Sequence, residues 1–417
     1  MTLVPWLLLG GSLGLGLYSY LDYPAILKVL SLFCSPRRPR SPTPPDRPRA
    51  RPRISITIPV HNEAAVIAGT LERILELDYP AGRRQILVVS DASTDETDDI
   101  VRRFAARGVE LLRMPERHGK TAAENAARPY LTGEIIVNTD ASVRIHPRAV
   151  THLVAAFADP TVGVASGRDV SVASLDERTN PGEQAYVGYE MWLRGLETRV
   201  CGIVGASGCL YAIRRDLHMP FMPEALSRDF GAALVAREHG YRSVSVPEAI
   251  CYVPRSASLR REYRRKVRTL ARGLRTLWYK RALLNPMRHG LFAWMLCSHK
   301  LCRWLVPWMA LPMAMALVWL MPQHAWAGAA LALGGVAALA TALGWAWPEG
   351  KPLPRAIALP AYAVSGNMAA LHAWVRALGG RGTAIWEPTR RGVDLPAASP
   401  AEHHGGREQH DLQVLER

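Results

Sequence analysis

Four acidic motifs follow one another along the 417-residue chain: Asn62-Glu63 after ISITIPV, Asp91 with Asp95 in VVSDASTDET, Asp140 in EIIVNTDAS, and Asp229 in LSRDF. The strand-like runs ILVVS and EIIVNT end directly before Asp91 and Asp140. Both carboxylates therefore fall at the carboxyl ends of parallel strands, where open α/β sheets bind ligands. A carboxylate in that crevice can accept hydrogen bonds from a base or ribose, while helix capping, the other use of Asp91, is already supplied by Thr94 and Asp95. Asp140 suits a divalent cation, Mg2+ or Mn2+, that neutralises a departing diphosphate. Pro59, His61, Asn62 and Glu63 form the first strand-to-helix loop, and Glu63 suits a ligand contact and an ordinary first-turn charge equally. Lys120 follows Gly119 at an expected helix start, where backbone N–H groups and an ammonium together hold a diphosphate or a base edge. Asn125, five residues on, shares a helical face with Lys120 poorly.

These residues need a scaffold, and the pattern around them supplies one. Strand-like runs at 54–60, 85–90, 109–114 and 134–139 alternate with helical stretches from about Glu63, Asp95 and Lys120. That alternation predicts right-handed βαβ crossovers and an α/β fold with a mostly parallel sheet. Beyond Arg168 the pattern turns irregular, as expected of an acceptor-binding half. The soluble domain is expected to span 54–255.

Residues 3–21 carry no charge and are long enough to cross about 30 Å of hydrocarbon, so 1–36 reads as an N-terminal transmembrane segment. The linker 37–53 holds seven arginines and one aspartate among many prolines. By the positive-inside rule it is cytoplasmic, and so is the domain that follows. Residues 256–303 read as basic and amphipathic interfacial helices, because His299, Lys300 and Arg303 interrupt an otherwise apolar run. A central Lys or Arg costs roughly 2.5 to 3.5 kcal/mol against about 0.5 gained per Leu. Spans are expected near 304–321 and 325–346, with a weaker one at 356–375, inside a C-terminal membrane region 304–378. A polar tail occupies 379–417. If the weak segment crosses, parity sets the basic WEPTRR tail outside, against the charge rule.

The formal charge of +15 concentrates beside the apolar segments, at 37–53 and 255–281. This favours anionic lipid or phosphate-bearing substrates. Nucleic acid is excluded by the lack of aromatic residues interleaved with the basic ones in the soluble part. Six cysteines with no CxxC pair exclude a structural zinc site and a disulfide framework.

Together IPVHNE, VVSDASTDET, RHGKTAAENAA, NTDAS, GASGCLYAIRR and SRDF resemble the membrane-bound family 2 glycosyltransferases of GT-A fold, similar to bacterial cellulose, hyaluronan and poly-N-acetylglucosamine synthases. The resemblance covers about three quarters of the chain. It implies a multi-pass enzyme of the cell inner membrane with a cytoplasmic catalytic domain and a nucleotide-sugar donor, UDP-sugar favoured. The acceptor it implies is a glycan or a lipid-linked sugar. Asp91 and the loop Pro59 to Glu63 would contact the nucleotide. Asp229 would be the general base for an inverting transfer, and Gly205, Ser207 and Gly208 would line the acceptor side. The family's Asp-x-Asp is here Asp140-Ala141-Ser142, leaving Asp140 and Ser142 as metal ligands. Its Gln-x-x-Arg-Trp is replaced by RKVRT and LARGL, in a basic run where Arg265 and Arg268 are candidates to reach the diphosphate. Two alternatives stand beside a synthase: a single-addition transferase to a polyprenyl-phosphate carrier, and a catalytically weak scaffold of a polysaccharide export complex.

Overall fold

In the computed structural model every residue of β1 (Ile54–Val60) is buried, as a strand covered on both faces requires. The structure describes residues 3–34, 51–172, 181–254, 258–348 and 353–380; the basic linker up to residue 50 and the tail beyond 380 lie outside them. The other strands are β2 (Arg84–Ser90), β3 (Val109–Arg113), β4 (Ile135–Thr139), β5 (Arg144–Ile145), β6 (Val162–Val172), β7 (Leu210–Arg214) and β8 (Arg242–Pro254). They form one eight-stranded sheet in the order β3-β2-β1-β4-β7-β6-β8-β5. The first four are mutually parallel. β7 then runs antiparallel to β4 and β6, and β5 antiparallel to β8, so the irregular pattern after Arg168 is the mixed half of a single sheet.

The principal helices are α1 (Val4–Phe33), α2 (Ala64–Leu75), α3 (Thr97–Arg103), α4 (Lys120–Ala127), α5 (Ala149–Ala155), α6 (Pro181–Val200), α7 (Arg228–Glu238), α8 (Leu259–Tyr279), α9 (Leu291–Leu320), α10 (Ala325–Ala346) and α11 (Arg355–Leu378). Ile67, Leu71 and Ile74 of α2, Val101 of α3 and Leu153 of α5 close one face of the sheet. Ala123 and Ala127 of α4 with Ala232, Val235 and Ala236 of α7 close the other. A third apolar cluster joins Tyr23 and Leu27 of α1, Leu193 and Leu196 of α6, Phe230 and Leu234 of α7, and Phe292, Met295 and Leu296 of α9. The helix that carries Asp229 thus packs directly on the apolar helices.

α1, α9 and α10 are long and apolar enough to cross a membrane. Two boundaries differ from expectation. Residues 291–303 are not a separate interfacial helix: Leu291–Leu320 is one continuous helix of 30 residues. The physical reason is that His299 and Arg303 turn into the protein and pair with Glu190 and Glu197 of α6. The segment 356–375, expected as a weak span, belongs to α11, which is not among the three apolar helices. It lies along α8 instead, with Lys266 Nζ 3.6 Å from the Tyr362 ring centre and Tyr263 Oη 3.2 Å from His372 Nδ1.

α1 and α9 each contain a π-helical stretch, Tyr18–Asp22 and Cys297–Cys302. The two meet: Tyr18 Oη lies 2.7 Å from Ser298 Oγ, and the Trp294 indole donates to Tyr18 Oη at 2.9 Å.

Candidate active site

The loop after β2 and the start of α4 are held by one carboxylate. Asp91 is 1% exposed, and its two oxygens accept the backbone N–H groups of His118 at 2.8 Å and Gly119 at 2.7 Å. Gly119 has φ of 95°, a left-handed turn that glycine makes without strain, and Lys120 begins the helix behind it. The neighbouring loop is clasped in the same way. His61 Nδ1 lies 2.7 Å from the Asp91 carbonyl, and Asn62 Oδ1 accepts from Thr94 N at 2.7 Å. Asp95 accepts from Ala64 N and from the backbone N–H and hydroxyl of Thr97. Burial alone would raise the Asp95 carboxyl, but the Thr97 and Ala64 bonds hold it below its ordinary value. α3 starts only at Thr97, so Thr94 is not its cap: that hydroxyl is turned to Asn62.

A cavity of about 710 Å³ opens beside these loops. Glu63, Lys120, Asp140, Ser142, Gly205, Ser207, Gly208, Asp229, Arg265 and Arg268 line it. Pro59, His61, Asn62 and Asp91 lie outside its lining. Their polar groups hold one loop to another, and they reach the cavity through the position of Lys120 and Glu63.

Inside the cavity Lys120 Nζ lies 2.6 Å from Asp140 Oδ1 and 3.2 Å from the Gly208 carbonyl, tying α4 to β4 and to the loop before β7. Burial would lower the Lys120 ammonium, yet Asp140, Glu124 and Asp229 together raise it, so it stays charged. Asp229 sits in the first turn of α7 and accepts the Ser227 hydroxyl. A Cβ on Gly208 would fall 2.5 Å from Asp229 Oδ2, so a side chain there would displace the carboxylate. Ser207 donates to Asp169. Arg265 grips Glu262 through Nε and Nη2 at 2.8 and 2.7 Å, and both arginine candidates of α8 face the cavity.

Glu124 and Asp169 are among the lining residues that the sequence reading did not single out, whereas Arg272 belongs to its basic run. Glu124 is 1% exposed, and neither oxygen has a hydrogen-bond partner among the described residues. Burial raises its carboxyl above the usual range although Lys120 and Arg228 pull it down. Its spacing four residues after Lys120 was a usable signal, since such pairs share a helical face. Asp169 lies mid-strand and gave none. Arg272 bonds Thr121 Oγ1 at 2.6 Å and the Leu226 carbonyl at 2.5 Å, which locks α8 over the cavity rather than onto lipid. Asn125 is structural, bonded to the Met222 backbone and to Arg228.

Among the described residues no cluster of three or more His, Cys, Asp or Glu side chains could hold a metal ion. Asp140 and Ser142 supply one carboxylate and one hydroxyl, and Lys120 already engages the carboxylate. Such a pair holds Mg2+ or Mn2+ only when phosphate oxygens complete the shell.

Residues 55–219 match the profile of Glycosyl transferase family 2. The chain carries a family 2 glycosyltransferase domain. Its fold is GT-A. A mannosyltransferase from Pyrobaculum calidifontis, solved with GDP-Man and Mn2+, superposes with a TM-score of 0.67 at 24% identity, covering 91% of this chain and 99% of that one. A beta-monoglucosyldiacylglycerol synthase from Nostoc sp. is 28% identical over 169 residues, 40% of this chain and 36% of the relative. An N-acetylglucosaminyltransferase from Sinorhizobium fredii is 25% identical over 279 residues, 61% of this chain and 66% of the relative. The chain thus spans little more than a third of the first curated relatives it matches. In this glycosyltransferase domain the profile ends at residue 219, so Asp229 and the basic helix α8 lie beyond it.

Proposed function

We propose that the protein is an inverting glycosyltransferase of the cell inner membrane, moving a sugar from a nucleotide-diphosphate donor to a lipid-linked or glycan acceptor. The observation that carries this reading is the single cavity that unites Lys120, Asp140 and Asp229 and continues to Tyr20, His299 and Arg303 on the apolar helices. Lys120, with the arginines of α8, would bind the donor's diphosphate, and Asp140 and Ser142 would hold a divalent cation against it. When bound, that cation supplies positive charge to the leaving diphosphate. Asp229 would take the proton from the acceptor hydroxyl as that oxygen attacks the anomeric carbon from the face opposite the diphosphate. The mannosyltransferase solved with GDP-Man supports a sugar-nucleotide donor, and the glucosyldiacylglycerol synthase supports a lipid acceptor.

Three helices long and apolar enough to cross would give a topology consistent with the charge rule. With the linker at 37–53 in the cytoplasm, α1 enters, α9 leaves and α10 returns, so α11 and the basic WEPTRR tail stay cytoplasmic. The parity conflict disappears once α11 does not cross.

The test is Mn2+-dependent nucleotide release by the protein in lipid nanodiscs across UDP- and GDP-sugars, with lipid acceptors. Asp229→Asn is expected to lower turnover about 10² to 10⁴-fold with donor affinity retained. Equal loss of donor binding would remove Asp229 from the role of base.

A further inference from the structure

The membrane-facing end of the cavity carries more positive charge than its carboxylates match. Glu190 accepts from Arg303 Nη1 at 2.5 Å, and His299 bridges Glu197 through Nδ1 at 2.6 Å and Glu190 through Nε2 at 3.2 Å. Each ring nitrogen lies within hydrogen-bond distance of a carboxylate. Tyr23 adds a hydrogen bond to Glu197 at 2.7 Å. Both carboxylates are therefore already engaged, with Arg303 as the cation among their partners.

Arg194 and Lys300 remain. Both line the cavity. Arg194 Nε and Nη1 are buried with no partner among the described residues, and Arg303 Nη2 shares that state. The one hydrogen-bond contact of Lys300 Nζ among the described residues is His299 Nε2, at a long 3.5 Å, and no carboxylate lies within ion-pair distance of it. A buried charge without a counter-charge costs several kcal/mol, so the arrangement suits an anion that enters from outside the chain. Lys300 also touches the catalytic region: its Cε lies 3.6 Å from where a Gly205 Cβ would be, and its ammonium is 5.7 Å from the ring of Phe230, next to Asp229.

We propose that Arg194 and Lys300 bind the phosphate of a phosphate-bearing lipid, which reaches the cavity from the bilayer beside α1 and α9 and is presented there to Asp229. This rests on the transferase reading and names its acceptor class: a lipid with an anionic head rather than an uncharged diacylglycerol. The same chemistry could be supplied by the donor's diphosphate, and the experiment separates the two sources.

Binding is measured on the full-length protein in detergent micelles with dioctanoyl phosphatidate and farnesyl phosphate, each against its uncharged twin, dioctanoylglycerol and farnesol, and with UDP as the donor-side probe. At least one phosphate lipid is expected to bind about tenfold or more tighter than its twin, from charge-assisted bonds to two cations. Arg194→Gln and Lys300→Gln should each erase most of that preference and leave UDP affinity within about twofold, while Arg194→Lys retains most of it. Equal binding of each phosphate and its twin overturns the proposal. So does a loss of UDP affinity in the glutamine variants with lipid preference intact, which assigns the pair to the donor. If the glutamine variants fail to fold, the twin comparison on the unaltered protein and on Arg194→Lys still decides. Nucleotide release without phosphate preference would sink this site alone, whereas phosphate preference without release from any donor would sink the transferase reading and leave the site standing.

Discussion

The two ends of the cavity hold their charges in different ways. At the sheet end, Asp91 is matched by the backbone amides of His118 and Gly119, one strand and one helix further along the chain, and Lys120 by the strand-end carboxylate of Asp140. At the membrane end, Glu190 and Glu197 of α6 are matched by His299 and Arg303 of α9, across more than a hundred residues of chain. The sheet end is a loop device repeated at successive strands. The membrane end is a network that exists only once the domain has docked on the apolar helices, so its loss should cost folding before it costs chemistry.

Removing one member of the membrane-end network tests that contrast most severely. Arg303→Met removes the cation paired with Glu190 and is expected to destabilise the protein by about 3 to 5 kcal/mol, the usual cost of breaking a buried pair from one side. Thermal unfolding in detergent would show it, and Glu190→Met added to Arg303→Met should recover much of the loss. A single variant as stable as the parent would mean that the network is not buried as described.

At the sheet end the expected cost is smaller. Asp91→Asn turns an NH2 group toward the amides of His118 and Gly119 and leaves at least one of them without an acceptor, worth about 1 to 3 kcal/mol. Because this loop aims Lys120, donor affinity should fall with stability. Unchanged donor affinity at reduced stability would separate the clasp from the site.

The third effect is a dependence on pH. Burial raises the Glu124 carboxyl above its ordinary 4.5, so the stability linked to it is full below about pH 4.5 and is lost as pH rises through the raised value. Glu124→Gln keeps the shape without the charge. Its melting temperature should exceed the parent's near neutrality, with a gap that closes toward pH 4; a gap of constant size would show that Glu124 carries no shifted titration. Lys120 and Arg228 pull against this shift and Asp229 and Asp140 add to it, so its size also reports how well the cavity's charges are screened.

The parallel half of the sheet was legible because each strand ends in a turn that local residues dictate: ILVVS before Asp91, EIIVNT before Asp140, Gly119 before Lys120. The α/β architecture and the apolar helices followed from the same periodicities. What Asp91 touches was not legible, because a strand-end carboxylate looks alike whether it faces a ligand or a backbone loop. Asp169 was hidden because its role depends on Ser207, brought beside it by strand pairing rather than by spacing. The reading of 291–303 went astray because a per-residue membrane penalty treats His299 and Arg303 as facing lipid, whereas their partners wait on α6.

The two π-helical stretches set a mechanical condition on the whole assembly. Widened turns that face each other at one height, joined through Tyr18, Ser298 and Trp294, act like a pin through two rods. Sliding α1 past α9 by a single turn would break all of these contacts together, so piston motion between them is disfavoured. A catalytic cycle on this anchor must take its compliance from somewhere other than a slide of α1 along α9.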